Sequence, residues 1–329
     1  MATYKEIIGT AVQNFAGDPA NPINGQVWYN SSTSQFKYFA EYASGAWATG
    51  GNLNTSRGAN LPGGAGTQTA GLAFGGETPV AITGDTESYN GSSWTELNNL
   101  NTARSSGGGA GATNTAALAF GGYNGTAAIA ATESWNGTSW TTSPGTLNLA
   151  RFWLANAGTN TAALAFGGYP PPSFLGAETE TWNGSTWTEV NNLNNGRIQF
   201  AGCGTNTAAL AFGGNSTPNG ATETWNGTSW TEVNDLNTGG GAISGCGTQT
   251  AALRFGNGST PTGLGTTESW NGTNWTTVNS LNVARYYSQG AGTNTAGLCF
   301  GGQNPSPTTA TEEWNAPGSA TEIITTTTT

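Results

Sequence analysis

"TETWNGTSWTEV" (residues 222–233) has close copies along the chain: TESYNGSSWTEL at 86–97, TESWNGTSWTT at 132–142, TETWNGSTWTEV at 179–190 and TESWNGTNWTTV at 267–278. Asn-Gly between two β-prone runs is a strong hairpin signal, because a type I′ turn needs positive φ at both central residues. The block therefore reads as strand, turn, strand. The flanking aromatics read as packing between neighbouring units. Burying one Trp removes about 150–250 Å² from water, or about 4–6 kcal/mol at 25 cal/mol/Å². Two other readings of the copied motif stand beside this one: a stacking surface for a ligand such as a sugar, and a glycosylation acceptor. Eleven Asn-x-Ser/Thr sequons occur, among them Asn136, Asn183, Asn226 and Asn271. Turn chemistry accounts for them without glycans.

Two further anchors repeat in the same order. "LAFGG" and its variants place Phe74, Phe120, Phe166, Phe212, Phe255 and Phe300 at spacings of 46, 46, 46, 43 and 45 residues. The acidic anchor places Glu87, Glu133, Glu180, Glu223, Glu268 and Glu312. "LNxxR" ends at Arg57, Arg104, Arg151, Arg197 and Arg285, with Gly240 in the remaining copy. Each unit of about 45 residues reads as a small glycine-rich strand a, an apolar strand b, and strands c and d of the opening hairpin. Four short strands per unit, with no helical periodicity, give an all-β fold: a β-propeller of four-stranded blades. Six blades are expected, and a seventh would need a unit the anchors do not show. Trp47 and the first LNxxR, at Leu53–Arg57, look like the end of a blade placed before the first complete one. The N-terminal strand is thus expected to complete the last blade and hide its edge.

The "GG" ending strand b, with aromatics on strands c and d, resembles the kelch-type β-propeller over roughly residues 45–315. Two departures stand out: "FGN" at Phe255, and Tyr89 in place of the first Trp. Asn tolerates the left-handed conformation and Tyr keeps an aromatic body, so the fold is expected to hold. The hairpin also occupies the place of the Asp-box in sialidase-type propellers. Here, however, Asn replaces Asp and the glycine spacing differs.

Composition narrows function. Only 8% of residues are charged and the net charge is −10, with eight basic residues spread singly. Nucleic-acid binding and membrane insertion are not expected, since there is no basic patch and no long apolar run. There is no histidine, which removes the usual general base and the commonest transition-metal ligand. No cofactor and no metal are expected, nor the imidazole-dependent copper chemistry of some kelch enzymes. The repeated Glu and Arg residues form either a catalytic or calcium-binding ring or a set of ion pairs, and their equal periodicity favours pairs. Gly240 then leaves Glu223 or Glu268 without a partner. Cys203, Cys246 and Cys299 are odd in number and loosely spaced, and read as small buried hydrophobes.

The face built from b–c and d–a loops varies from unit to unit, whereas the turns of the other face hardly change. The variable face presents Phe152, Trp153, Tyr169, Phe200, Tyr286 and Tyr287, the candidate binding residues. Residues 1–40 fall outside the repeat. "NGQVWYNSSTSQFKYF" (24–39) resembles a short β-hairpin segment found in bacteriophage tail and fibre proteins. That resemblance implies a virion protein, assembled in a bacterial cytoplasm and extracellular once displayed. Residues 1–40 would attach to other virion proteins, and a homo-oligomer is expected. Residues 41–318 would form the propeller and 319–329 a Thr-rich tail. The start "MATYKEIIGT" lacks the pattern of a secretory signal. The expected function is non-enzymatic recognition of a host-surface glycan or protein. An architectural decoration or filament subunit is the alternative, and a glycan-active enzyme comes third.

Overall fold

The computed structural model describes residues 12–17, 19, 26–41, 45–58, 63–258, 263–316 and 319–323. Two compact units emerge, one from residues 46–316 and one from 1–45 with 317–329.

The larger unit holds six four-stranded sheets, each from strands consecutive along its own repeat except the last. One blade shows the pattern: Ala201–Gly204, Ala209–Phe212, Thr222–Trp225 and Trp230–Val233 run antiparallel from innermost to outermost strand. The innermost strand of each sheet touches that of the next, and the sixth touches the first, so the ring closes. In the sixth sheet the outermost strand is Ala46–Thr49, paired antiparallel with Thr311–Asn315 so that Trp47 faces Trp314. The two ends of the propeller segment meet in one blade, and that blade's edge is covered.

The copied motif is a joint between blades. Each outer-strand Trp packs on the "LAFGG" Phe of the preceding blade, with ring centroids 4.7–5.0 Å apart: Trp140 on Phe74, Trp187 on Phe120, Trp230 on Phe166 and Trp275 on Phe212. Trp47 on Phe255 and Trp94 on Phe300 complete the set. The same indoles donate Nε1–H to the Thr that opens strand c of that preceding blade, as in Trp140 to Thr86 at 2.9 Å and Trp230 to Thr179 at 3.1 Å. One residue thus joins two blades by dispersion and by a buried hydrogen bond.

The turn itself departs from the expected type I′ form. Trp225 pairs with Trp230, so four residues lie between the strands. Only the glycine is left-handed, with φ of +90° to +96° at Gly91, Gly137, Gly184, Gly227 and Gly272. The Asn is held by its side chain, as Asn226 Oδ1 accepts Thr228 N–H and Ser229 N–H at 2.9 Å each. Asn side chains satisfy turn amides in this way. The motif needs Asn for its carbonyl and Gly for its backbone.

Tyr89 also finds a reason. Where Trp270 and its counterparts donate to the carbonyl of their own a–b turn, the Tyr89 hydroxyl donates 2.5 Å to Glu313 Oε1 of the sixth blade. Glu313 stands where other copies have Ser or Thr. Burial, reinforced by that carboxylate, pushes the Tyr89 phenol up to about 12.

The smaller unit is a separate sheet. Gln13–Phe15 runs parallel to Val27–Asn30, which forms a hairpin with Gln35–Glu41, and Ser319–Ile323 pairs antiparallel with Gln35–Glu41. Ser319–Ile323 belongs to the segment read from sequence as a Thr-rich tail; a strand forms there because Gln35–Glu41 offers an edge to pair with. The unit boundaries fall at Gly45/Ala46 and Ala316/Pro317, displaced from the expected 40/41 and 318/319. Residues 1–11 and 20–25 of the proposed attachment segment, and 324–329 of the tail, lie outside the described residues.

If the Trp joint carries the ring, Trp230→Ala should lower unfolding stability by about 3–5 kcal/mol. Thr179→Val, which only strands the indole N–H, should cost about 1–3 kcal/mol. Urea denaturation of both variants checks the order, and equal losses would contradict it.

Candidate functional site

The repeated acid and base are structural. Each described LNxxR arginine is fully buried and pairs with the strand-c Glu of the blade it enters: Arg57–Glu87, Arg104–Glu133, Arg151–Glu180, Arg197–Glu223 and Arg285–Glu312. Arg104 shows the full arrangement. Its Nη1 donates to the carbonyls of Gly121 (3.1 Å) and Ala131 (2.8 Å), and its Nη2 to Glu133 Oε1 at 2.5 Å. The Asn before it completes the carboxylate, with Asn101 N–H 2.7 Å from Glu133 Oε2 and Thr102 N–H 3.1 Å from Oε1. Burial lowers the guanidinium pKa of Arg104, Arg151 and Arg197, and the facing carboxylates pull the other way. Each of these five carboxylates is thus held by an arginine within the blade joint and turned away from solvent. Among the described residues, no group of three or more His, Cys, Asp or Glu is placed to hold a metal ion.

The Gly240 copy is arranged differently: a guanidinium enters from strand b beside Glu268 without an ion pair, with Arg254 Nη1 donating 3.1 Å to Thr266 O. Glu223 keeps Arg197, so Glu268 is the carboxylate that lost its LNxxR partner. Arg254, which replaces the alanine of "AALAF", faces Glu268 directly across the ladder. It is fully buried, and burial takes its guanidinium down to about 10 against the pull of Glu268. Asn257 fills the rest: its Nδ2 donates 3.0 Å to Gly239 O, and any Cβ on Gly240 would lie 2.3 Å from its Oδ1. Asn257 is therefore not the left-handed stand-in for glycine that the sequence suggested. It continues the strand Ala251–Asn257 and occupies the space left by the missing arginine.

Beyond each arginine the chain turns inward through one repeated device. The second residue after the Arg position is left-handed without being glycine: Ser106 (φ 60°), Trp153 (57°), Gln199 (57°), Ala242 (56°) and Tyr287 (53°). Such a backbone is costly for a bulky side chain. It is held by a belt of hydrogen bonds running from blade to blade. Trp153 N–H donates to Ser106 O at 2.7 Å, Gln199 to Trp153 at 3.2 Å, Ala242 to Gln199 at 2.7 Å and Tyr287 to Ala242 at 3.0 Å. Among the described residues the belt runs through five of the six blades at one end of the central axis, and its five side chains line a cavity of about 90 Å³.

A second ring lies outside the first. The residue after each arginine bridges to the residue after "GG": Ser105 to Tyr123, Phe152 to Tyr169, Ile198 to Asn215, and Tyr286 to Gln303. Backbone geometry is the same in each copy while the side chains differ in size and polarity. Among the sequence candidates, Trp153, Phe200 and Tyr287 line the cavity. Phe152 and Tyr169 form an aromatic cluster with Trp153, at 4.7 Å for Phe152–Trp153 and 6.2 Å for the stacked Trp153–Tyr169 pair. Tyr169 leads on to the exposed Phe174 at 5.8 Å. Tyr286 lies 5.2 Å from Tyr287. Phe200 is largely core, packed on Phe166. Sequence reasoning passed over Gln199, whose Nε2 donates 2.6 Å to the Tyr287 hydroxyl while its Oε1 accepts Asn215 Nδ2 at 2.6 Å. Its position two residues after Arg197 was the available signal.

Charge at this site is one-sided. The only cations in residues 46–316 are six arginines, and all six are fully buried. No lysine or arginine side chain reaches the propeller surface.

No protein-family model matches the chain, and no curated protein matches it. Among solved structures it is similar to YjhT, with a TM-score of 0.64 and 12% identity over 80% of this chain and 96% of that one. The chain is a β-propeller. At that identity the likeness concerns the fold alone.

Arg254→Met should cost about 1–3 kcal/mol, because it removes the cation beside the buried Glu268 carboxylate, which keeps the N–H donors of Asn237 and Thr238. Adding Glu268→Gln should return part of the loss. A double-mutant cycle in urea showing no coupling would break the assignment. The three thiols are free and buried, and burial pushes Cys203 up to about 12. At pH 8 its thiolate fraction is then roughly 10⁻⁴. Ellman's reagent should find no thiol in the native protein and all three cysteines of the chain after denaturation.

Proposed function

We propose that the chain is a non-enzymatic virion appendage protein whose propeller recognises a glycan or protein of the host surface. The observation that carries the reading is the channel mouth. There, an identical backbone belt presents different side chains in each blade, with aromatics concentrated around Trp153, Tyr169 and Tyr286–Tyr287. Structural positions repeat because the packing repeats, and divergence confined to one solvent-facing site is what recognition requires. Two observations support the absence of chemistry. Five of the six repeated carboxylates are in buried ion pairs, and no acid or histidine lines the cavity. The virion assignment rests on the segment 24–39, whose described part forms the hairpin of Val27–Asn30 with Gln35–Glu41.

The test is binding of the full chain to immobilised bacterial surface polysaccharides and purified outer-surface proteins, compared with Trp153→Asn, Tyr169→Ala and Tyr286→Ala. Binding weakened at least tenfold in these variants, with far-UV circular dichroism unchanged, is the expected result. Undiminished binding would move the function off this face. Release of new reducing ends from a polysaccharide would make the protein an enzyme.

A further inference from the structure

We infer that the cavity at the channel mouth takes an uncharged sugar residue, and that acidic glycans are excluded from it. This rests on the recognition reading above and narrows its ligand class.

The cavity's chemistry suits such a ring. Trp153 and Tyr287 supply aromatic faces, and Gln199 links Tyr287 to Asn215 through hydrogen bonds of 2.6 Å on either side. The Tyr287 hydroxyl accepts from Gln199, which leaves its own proton to donate. Ser244 and Ser288 lie deeper on the wall, 3.0 Å apart between their hydroxyls. Apolar faces for C–H surfaces, together with amides and hydroxyls that both donate and accept, match a ring that is apolar on its faces and hydroxylated at its rim. A volume of about 90 Å³ is several times the about 10–15 Å³ that one water needs, which suits one sugar ring entering end-on.

The electrostatics of the site independently disfavour anions. A carboxylated or phosphorylated glycan needs a cation or a set of free N–H donors when it leaves water. Every arginine of the propeller is buried, and five of the six contact a glutamate within hydrogen-bond distance. The belt amides that face the channel donate to belt carbonyls. The charged residue of the outer ring is Glu77, bridged to Gly58, and its sign is the same as that of an acidic sugar. An acidic sugar would therefore be dehydrated without compensation, which is how a site rejects a ligand it cannot pair.

The aromatic faces are also preorganised. Trp153 and Tyr287 sit on left-handed backbone that the belt enforces. Their rings are thus held in place before any ligand arrives.

The test is a glycan array carrying neutral gluco-, galacto-, manno- and rhamno-oligosaccharides beside sialylated and uronic-acid oligosaccharides, with the bacterial outer-surface proteins spotted alongside. The full chain is compared with Trp153→Asn, Gln199→Ala and Tyr287→Phe. Asn tolerates the left-handed backbone, so Trp153→Asn removes the ring without adding strain, and circular dichroism checks the fold of each variant. Expected is binding to neutral oligosaccharides only, changed less than twofold between 50 and 500 mM NaCl. It should fall at least tenfold in Trp153→Asn and measurably in the other two. Binding to acidic glycans, or neutral binding that survives all three substitutions, overturns the inference and leaves surface recognition standing. Binding to proteins alone does the same. Binding to nothing on the array overturns both.

Discussion

Removing a guanidinium from water costs several kcal/mol unless neighbouring groups replace the lost hydration, and the propeller meets that demand with an Arg–Glu pair in five of its six blades. The arginine of LNxxR reaches a strand-c Glu and two strand-end carbonyls, while the Asn of the same motif caps the other carboxylate oxygen. The connection leaving one blade is thereby fixed onto the next. From that point the chain can only continue inward, through the left-handed residue and into the innermost strand. The belt at the channel mouth follows this ion pair in the chain, although Ala242 joins the belt after Gly240 without one.

The blade carrying Arg254 meets the constraint in another way. Gly240 supplies no guanidinium, yet the site still contains one, delivered from strand b, with Asn257 filling the residual space. An unopposed buried Glu268 would be far costlier than two altered positions elsewhere in the repeat. The Tyr89–Glu313 hydrogen bond follows the same logic at the seam between the first and sixth blades. Departures from the repeat come in matched sets because the groups involved are buried and must satisfy one another.

Around the ion pairs, aromatic packing supplies most of the apolar contact between blades. Each outer-strand Trp meets a Phe and a Thr of the blade before it, the last of them Trp47 returning from the N-terminal side. The core is thus a ring of joints without a single centre, and the axis is left to small residues. That leaves a channel, and its mouth is where the blades are free to differ.

The sequence by itself determined the repeat, the four-strand unit, the structural role of the Trp and Glu/Arg positions, and the face on which the copies diverge. These were legible because spacing and residue type recur wherever packing and burial recur. The guanidinium delivered beside Glu268 from strand b, the four-residue Asn-capped turn, the role of Asn257 and the strand Ser319–Ile323 were decided by tertiary structure. So was the site. Trp153, Gln199 and Tyr287 are far apart along the chain, and nothing local places them around one cavity. Closure of the ring brings them together, with the belt of backbone hydrogen bonds holding each in a left-handed conformation that no short stretch of sequence would adopt alone.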